Sequence, residues 1–168
     1  MITLVLGGTR SGKSSIAERL TLAHDGPLFY VATAVITDDD MAARVERHRR
    51  NRSDRFETIE ADADLPAAIA ALDHRPALVD TLSTWLARQP GFAADADGLC
   101  AALQQRRTPT VIVSDEVGSG IHPETEVGRQ FRDALGELNQ RVAAIATDVY
   151  FVAAGRVLPL RPPSELGI

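Results

Sequence analysis

The sequence predicts an α/β fold, a mostly parallel sheet flanked by helices, in a single domain over residues 1–168. Two observations point there. Short apolar, β-branched runs recur at 2–6 (ITLVL), 27–33 (PLFYVAT), 77–80 (ALVD), 110–114 (TVIVS) and 148–155 (DVYFVAAG). Their hydrophobicity is continuous rather than alternating, as in strands covered on both faces. Helical patterns lie between them, so βαβ crossovers join the strands.

Each element has its own signal. Residues 14–23 (SSIAERLTLA) read as a helix directly after the first strand. A second helix is expected from the TDDD of 37–40 to the RHRR of 47–50, because carboxylates suit the positive end of a helix dipole and cations the negative end. The clearest helix runs from Glu124 to Ala146. There Val127, Phe131, Leu135, Leu138, Val142 and Ile145 recur at steps of three and four, behind Pro123 at its start. A loop is expected at 88–98 (RQPGFAADADG) and an irregular tail at 161–168 (RPPSELGI).

Composition narrows the function classes. The chain has 168 residues, enough to bury roughly two-thirds of its unfolded surface around one core. Its 45% hydrophobic and 24% charged residues are those of an ordinary globule. A net charge of −5 argues against a general nucleic-acid coat. Cys100 is the only cysteine, which excludes an internal disulfide and suits a reducing cytoplasm. The apolar run before Gly7 is too short for a signal peptide, and no stretch approaches a membrane span. The expectation is a cytoplasmic protein with no integral membrane segment and no nucleic-acid partner.

The first chemical motif opens at Gly7. Gly7-Gly8-Thr9-Arg10-Ser11-Gly12-Lys13-Ser14 fits G-x-x-x-x-G-K-[ST], the Walker A pattern, between a strand and a helix. Glycines let successive backbone N–H groups converge on an anion, and the helix N-terminus adds its positive end. Lys13 then reaches the β/γ-phosphates and the Ser14 hydroxyl joins the Mg²⁺ shell. Lys13 is also the only lysine among 18 basic residues, kept where a compact point charge is needed. Phosphate binding follows.

A second cluster, MAARVERHRRNRSDR at 41–55, leaves three readings open. On a helix His48 shares a face with Met41 and Val45, which makes it a packing histidine beside a solvated arginine face. Alternatively, the surrounding arginines favour a neutral imidazole and neutralise a phosphate that His48 attacks. RNA binding is the third, although no aromatic residues interleave for base stacking. At strand ends stand Asp80 and the pair Asp115-Glu116. Ligands of open α/β sheets gather at those ends, so Asp80 or Glu116 is expected to hold Mg²⁺ or accept a proton. His24, His74, His122, Trp85 and Cys100 read as structural.

Together these stretches resemble the bifunctional adenosylcobinamide kinase/adenosylcobinamide-phosphate guanylyltransferases of cobalamin synthesis. The resemblance rests on GGTRSGKS, YVATAVITDDDMAARVERHRRNR, LVDTLSTWL, VSDEVGSGIHPE and GRQFRDALGELNQRVAAIATDVYFVAAG, in this order over nearly the full chain. It implies a P-loop enzyme that phosphorylates adenosylcobinamide with ATP or GTP. It also implies GMP transfer from GTP to the adenosylcobinamide phosphate through a guanylylated histidine, with Mg²⁺. The resemblance implies His48 as the guanylylated nucleophile, beside Lys13 of the Walker motif and Glu116 at its strand end as the other candidate catalytic residues. Implied nucleotide contacts are Gly7 through Ser14, Thr33, Ala34, Val35, Arg50, Asn51, Arg52, Ser53, Glu60 and Asp80; Ser14 from the motif and Asp80 from its strand end are the candidate metal ligands. A homotrimer is implied as well. The chain departs from the family pattern in having DDDM for DDEM, a short stretch between Thr84 and Gln104, and Asp115 where asparagine is expected. The last adds a negative charge near a polyphosphate site.

Overall fold

The computed structural model describes residues 1–34 and 53–167. The expected helix over 37–50, with Val35, His48, Arg50, Asn51 and Arg52, lies outside the described residues. Strands β1 (Ile2–Gly7), β2 (Leu28–Ala32), β3 (Phe56–Glu60), β4 (Ala77–Asp80), β5 (Thr110–Asp115), β6 (Asp148–Ala153) and β7 (Arg156–Leu160) form one sheet in the order β3-β2-β4-β5-β1-β6-β7. All neighbours pair in parallel except β6 and β7, which form an antiparallel hairpin. The helices are α1 (Lys13–Leu22), α2 (Leu65–Ala70), α3 (Leu82–Ala87), α4 (Ala96–Gln105) and α5 (Glu126–Ile145).

Side-chain alternation sends each central strand into two apolar layers. Leu4, Val31, Val79 and Ile112 face one layer, packed with Leu65, Ile69, Leu82, Trp85, Leu99, Leu103, Leu135, Leu138 and Val142 from the other helices. Val5, Tyr30, Leu78, Val111 and Val113 face the second, where Ala17, Ile16 and Leu20 of α1 cover them. This two-sided burial is why β1, β4 and β5 read as unbroken apolar runs. No described helix is long and apolar enough to cross a membrane.

Helix boundaries follow local chemistry. Thr125 accepts from Gly128 N–H (3.1 Å) and caps α5, so this helix begins two residues after the expected Glu124. Asp95 caps α4 in the same way, through Gly98 N–H at 2.8 Å. The expected loop at 88–98 therefore ends inside a helix, and it also carries a 3₁₀ turn at Pro90–Phe92. The expected strand at 148–155 instead turns at Ala154 and Gly155, with φ of 50° and 72°, into the edge strand β7. Pro159 and uniform exposure suit β7 to an edge. The tail holds a short 3₁₀ turn at Pro163–Leu166.

Leu4 is fully buried in the middle of the sheet. Leu4→Ala is expected to lower stability by about 2–5 kcal/mol, because a central strand cannot collapse around the cavity. Urea unfolding with an unchanged m-value would check it.

Candidate active site

The parallel register gathers one set of strand ends. Gly7 stands opposite Asp115 of β5 on one side and Val152 of β6 on the other. Asp80 ends β4 opposite Val113 of β5 and Ala32 of β2. Residues 7–14 turn at this edge from β1 into α1. A Cβ on Gly7 would lie 2.5 Å from the Val152 carbonyl and 2.6 Å from Ser11 Oγ, so the first glycine is required by packing. Gly12 is required by its φ of 96°, which starts the helix.

The loop is braced from within and from the hairpin. Ser11 N–H donates to the Gly8 carbonyl (3.2 Å), and Gly155 N–H of the β6–β7 turn donates to the Ser11 carbonyl (2.8 Å). Lys13 N–H reaches Ser11 Oγ at 3.4 Å, while α1 has no side-chain cap. Ile16 N–H is bonded to the Gly12 carbonyl; the amides ahead of it in the first turn have no carbonyl four residues back. That end of α1 suits an anion.

Lys13 is only 9% exposed. Its Nζ sits 2.6 Å from Asp115 Oδ1 and 3.4 Å from the Gly8 carbonyl. The other Asp115 oxygen accepts from Ser83 Oγ at the start of α3, and the Asp115 carbonyl accepts from Asn139 Nδ2 of α5 at 3.0 Å. Beside this group, Tyr30 Oη donates to Asp80 Oδ2 at 2.6 Å. Among the described residues Asp80 Oδ1 accepts no hydrogen bond. Ser14 is half-buried on the first turn of α1. Hard oxygen donors that leave coordination positions to water and phosphate are what Mg²⁺ takes, so Ser14 and Asp80 fit it. No group of three or more His, Cys, Asp and Glu side chains suited to a metal occurs among the described residues.

Other candidate residues are placed differently. Thr33 is fully buried, and its hydroxyl donates to the Thr81 carbonyl (2.7 Å), accepts from Thr81 N–H (2.8 Å) and lies 2.5 Å from Thr84 Oγ1. It ties the exit of β2 to that of β4, beside half-buried Ala34. Glu116 turns back on its own loop and accepts from Gly118 and Ser119 N–H at 2.8 and 3.2 Å. Glu60 is exposed at the end of edge strand β3. It lies four inter-strand steps from β1, about 19 Å at the usual spacing. Ser53 precedes β3, at the opposite edge of the sheet from the Walker loop. The structure thus brings together Gly7–Ser14, Asp80 and Asp115; it does not bring Glu60 or Ser53 to them.

Tyr30, Ser83, Asn139 and Gly155 are absent from the sequence reading of the site. Ser83 and Tyr30 carried weak signals, a polar cluster after ALVD and a phenol inside an apolar strand. Asn139 and Gly155 carried none, since only the tertiary packing brings them to the loop. Trp85 and Cys100 do pack: the indole N–H reaches the Ala63 carbonyl at 2.8 Å, and burial pushes the Cys100 thiol up.

A buried lysine at the mouth of a strand–glycine loop–helix, with carboxylates on neighbouring strand ends, defines a P-loop nucleotide-binding domain. The fold is shared with solved structures at low identity. The flagellar accessory protein FlaH from Methanocaldococcus jannaschii superposes with a TM-score of 0.54 at 13% identity, over 93% of this chain and 74% of that one. The RadB recombinase gives 0.50 at 16% identity, over 89% and 73%. Sequence comparison is more specific. Residues 3–160 match the family described as cobinamide kinase / cobinamide phosphate guanyltransferase, and the chain belongs to it.

Two relatives are named bifunctional adenosylcobalamin biosynthesis protein CobU. The one from Escherichia coli K12 is 36% identical over 92% of this chain and 97% of its own length. The one from Salmonella typhimurium LT2 is 37% identical over the same shares. CobP of Pseudomonas aeruginosa, named in the same way, is 34% identical over 96% and 98%.

Gly7→Ala is expected to displace the Walker loop from Val152. Binding of a fluorescent GTP analogue should fall at least about tenfold, and stability should drop by about 1–3 kcal/mol, as overpacking costs. Tyr30→Phe removes one hydrogen bond to Asp80 and is expected to lower stability by only about 1 kcal/mol. It should nevertheless weaken the Mg²⁺ dependence of nucleotide binding, measured by titrating the metal.

Proposed function

We propose that this chain phosphorylates the hydroxyl of the aminopropanol arm of adenosylcobinamide with ATP or GTP. It then transfers GMP from GTP to the resulting phosphate through His48, giving adenosylcobinamide-GDP and pyrophosphate. The observation that carries this reading is the buried Lys13 in a braced Walker loop, in a chain of the cobinamide kinase / cobinamide phosphate guanyltransferase family.

In the kinase step the substrate oxygen attacks the γ-phosphorus as the β–γ bridging bond breaks, and the electron pair leaves with the nucleoside diphosphate. Lys13 and the amides at the start of α1 hold the triphosphate, Ser14 and Asp80 hold the metal, and Tyr30 orients Asp80. Mg²⁺, when bound, neutralises charge on the β/γ oxygens. Glu116 is the proposed proton acceptor for the attacking hydroxyl; to act it must give up its two bonds to the loop amides.

In the transfer step a ring nitrogen of His48 attacks the α-phosphorus and pyrophosphate departs. A phosphate oxygen of the substrate then attacks the same phosphorus, and the N–P bond breaks. Arg50, Asn51, Arg52, Thr33, Ala34, Val35, Ser53 and Glu60 belong to this nucleotide's contacts in the proposal. Thr33 would act by fixing the chain, since its hydroxyl is spent. The reading includes a homotrimer working in the cytoplasm, for which the exposed Val157, Leu158 and Leu160 on β7 supply apolar surface.

The test is incubation with Mg²⁺ and GTP labelled at the α- or γ-phosphate, followed by denaturation. Retained α-label that is acid-labile, base-stable and lost in His48→Ala is expected. Active, GTP-binding protein that retains no α-label would remove the nucleophile role of His48 and leave a kinase alone.

A further inference from the structure

Asp115 stands where the family resemblance leads one to expect asparagine, and among the described residues its carboxylate makes the closest polar contact to Lys13. The pair is held rather than incidental. Lys13 is 11% and Asp115 25% exposed at the side chain, so water screens them only partly. Both carboxylate oxygens have donors, Lys13 on one and Ser83 Oγ on the other. The strand end is fixed by the Gly7 register and by Asn139 on its carbonyl. The carboxylate therefore cannot swing away when a polyphosphate arrives.

An asparagine in this place would leave the ammonium of the chain's only lysine without this carboxylate. Asp115 instead neutralises it in advance, and the half-buried Asp80 carboxylate stands at the end of the adjacent strand. An incoming triphosphate must therefore share Lys13 with a fixed anion. Lys13 has three N–H donors, with Asp115 and the Gly8 carbonyl as two acceptors, so it can turn its third to phosphate without leaving Asp115. What it cannot do is cancel the repulsion between that carboxylate and the phosphate oxygens. A divalent cation carried by the nucleotide can.

From this geometry we infer that Asp115 is a specificity-determining residue that makes the Walker site selective for metal-complexed over metal-free nucleoside triphosphate. The inference rests on the Walker site being the nucleotide site, as in the proposed function. The experiment is equilibrium binding of a fluorescent GTP analogue to the full chain, with Mg²⁺ and with EDTA, for wild type and Asp115→Asn.

Asn is isosteric and keeps an acceptor for Ser83. It should tighten metal-free binding at least about tenfold, as removal of a fixed like charge in a partly screened site requires. Binding with Mg²⁺ should stay within about threefold of wild type. If Asp115→Asn does not fold, as judged by thermal unfolding, Asp115→Ser carries the same expectation.

If Asp115 served only to hold Lys13 in place, its loss would weaken binding under both conditions, and that result would overturn the inference. So would a wild type and variant of equal metal-free affinity. A wild type that binds no nucleotide even with Mg²⁺ would overturn the Walker-site reading and this inference together. That failure is distinct, because it shows in the wild type alone.

Discussion

The arrangement at the carboxyl edge depends on one constraint, the register of β1 between β5 and β6. It sets Gly7 against Asp115 and Val152 at once, and the chain has room to turn there only because Gly7 carries no Cβ. From that turn the loop must return over its own strand end, which puts Lys13 beside the Asp115 carboxylate and Ser11 under the β6–β7 turn. A register slip of one residue would reverse which face of β1 meets α1 and would break both apolar layers. Fold and phosphate site are thus specified by the same pairing, and the burial of Leu4 and Val5 on opposite faces keeps it in place.

Burying a lysine is costly unless it is paired, since an isolated ammonium loses its hydration. The structure meets that cost from three elements: the Gly8 carbonyl in the loop, Asp115 on β5, and Ser83 on α3 steadying Asp115. α5 adds a fourth hold through Asn139. Among the described residues, its Oδ1 and the Ser114 Oγ are buried without a hydrogen-bond partner. Elements distant in sequence thereby converge on one ammonium, which explains why its environment is invisible to a local reading.

The fold is most legible in the sequence where burial on both faces dictates composition. The five apolar runs all hold strands, and the helix expected over 124–146 is α5 with its ends shifted by caps. β3 is not legible, because its FETIE is exposed at three of five positions and an edge strand needs no continuous apolar run. Nor are α2 and α3, which at six residues each give too few turns for a period to register. β7 escaped because Pro159 argues against a strand in any position but an edge. At the site, the Walker residues and Asp80 are legible as candidates from motif and strand-end position. The partners that Asp115 and Glu116 take are not, since consecutive residues leave a strand in directions that only packing decides.

The two strand-end carboxylates of this edge receive opposite partners, and the difference divides their work. Asp80 is met by a phenol that donates to one oxygen, and among the described residues the other oxygen accepts no hydrogen bond. Asp115 is met by an ammonium and a hydroxyl that occupy both oxygens, so its charge is already spent on the protein. On the proposed reading, a metal carried in by a nucleotide would find its ligand on β4, while the phosphates would find on β5 a carboxylate that shares their lysine. With these two carboxylates at the ends of adjacent strands of one sheet, neither adjusts independently of the other. Such a discrimination would be built into strand geometry rather than into a loop that could relax it.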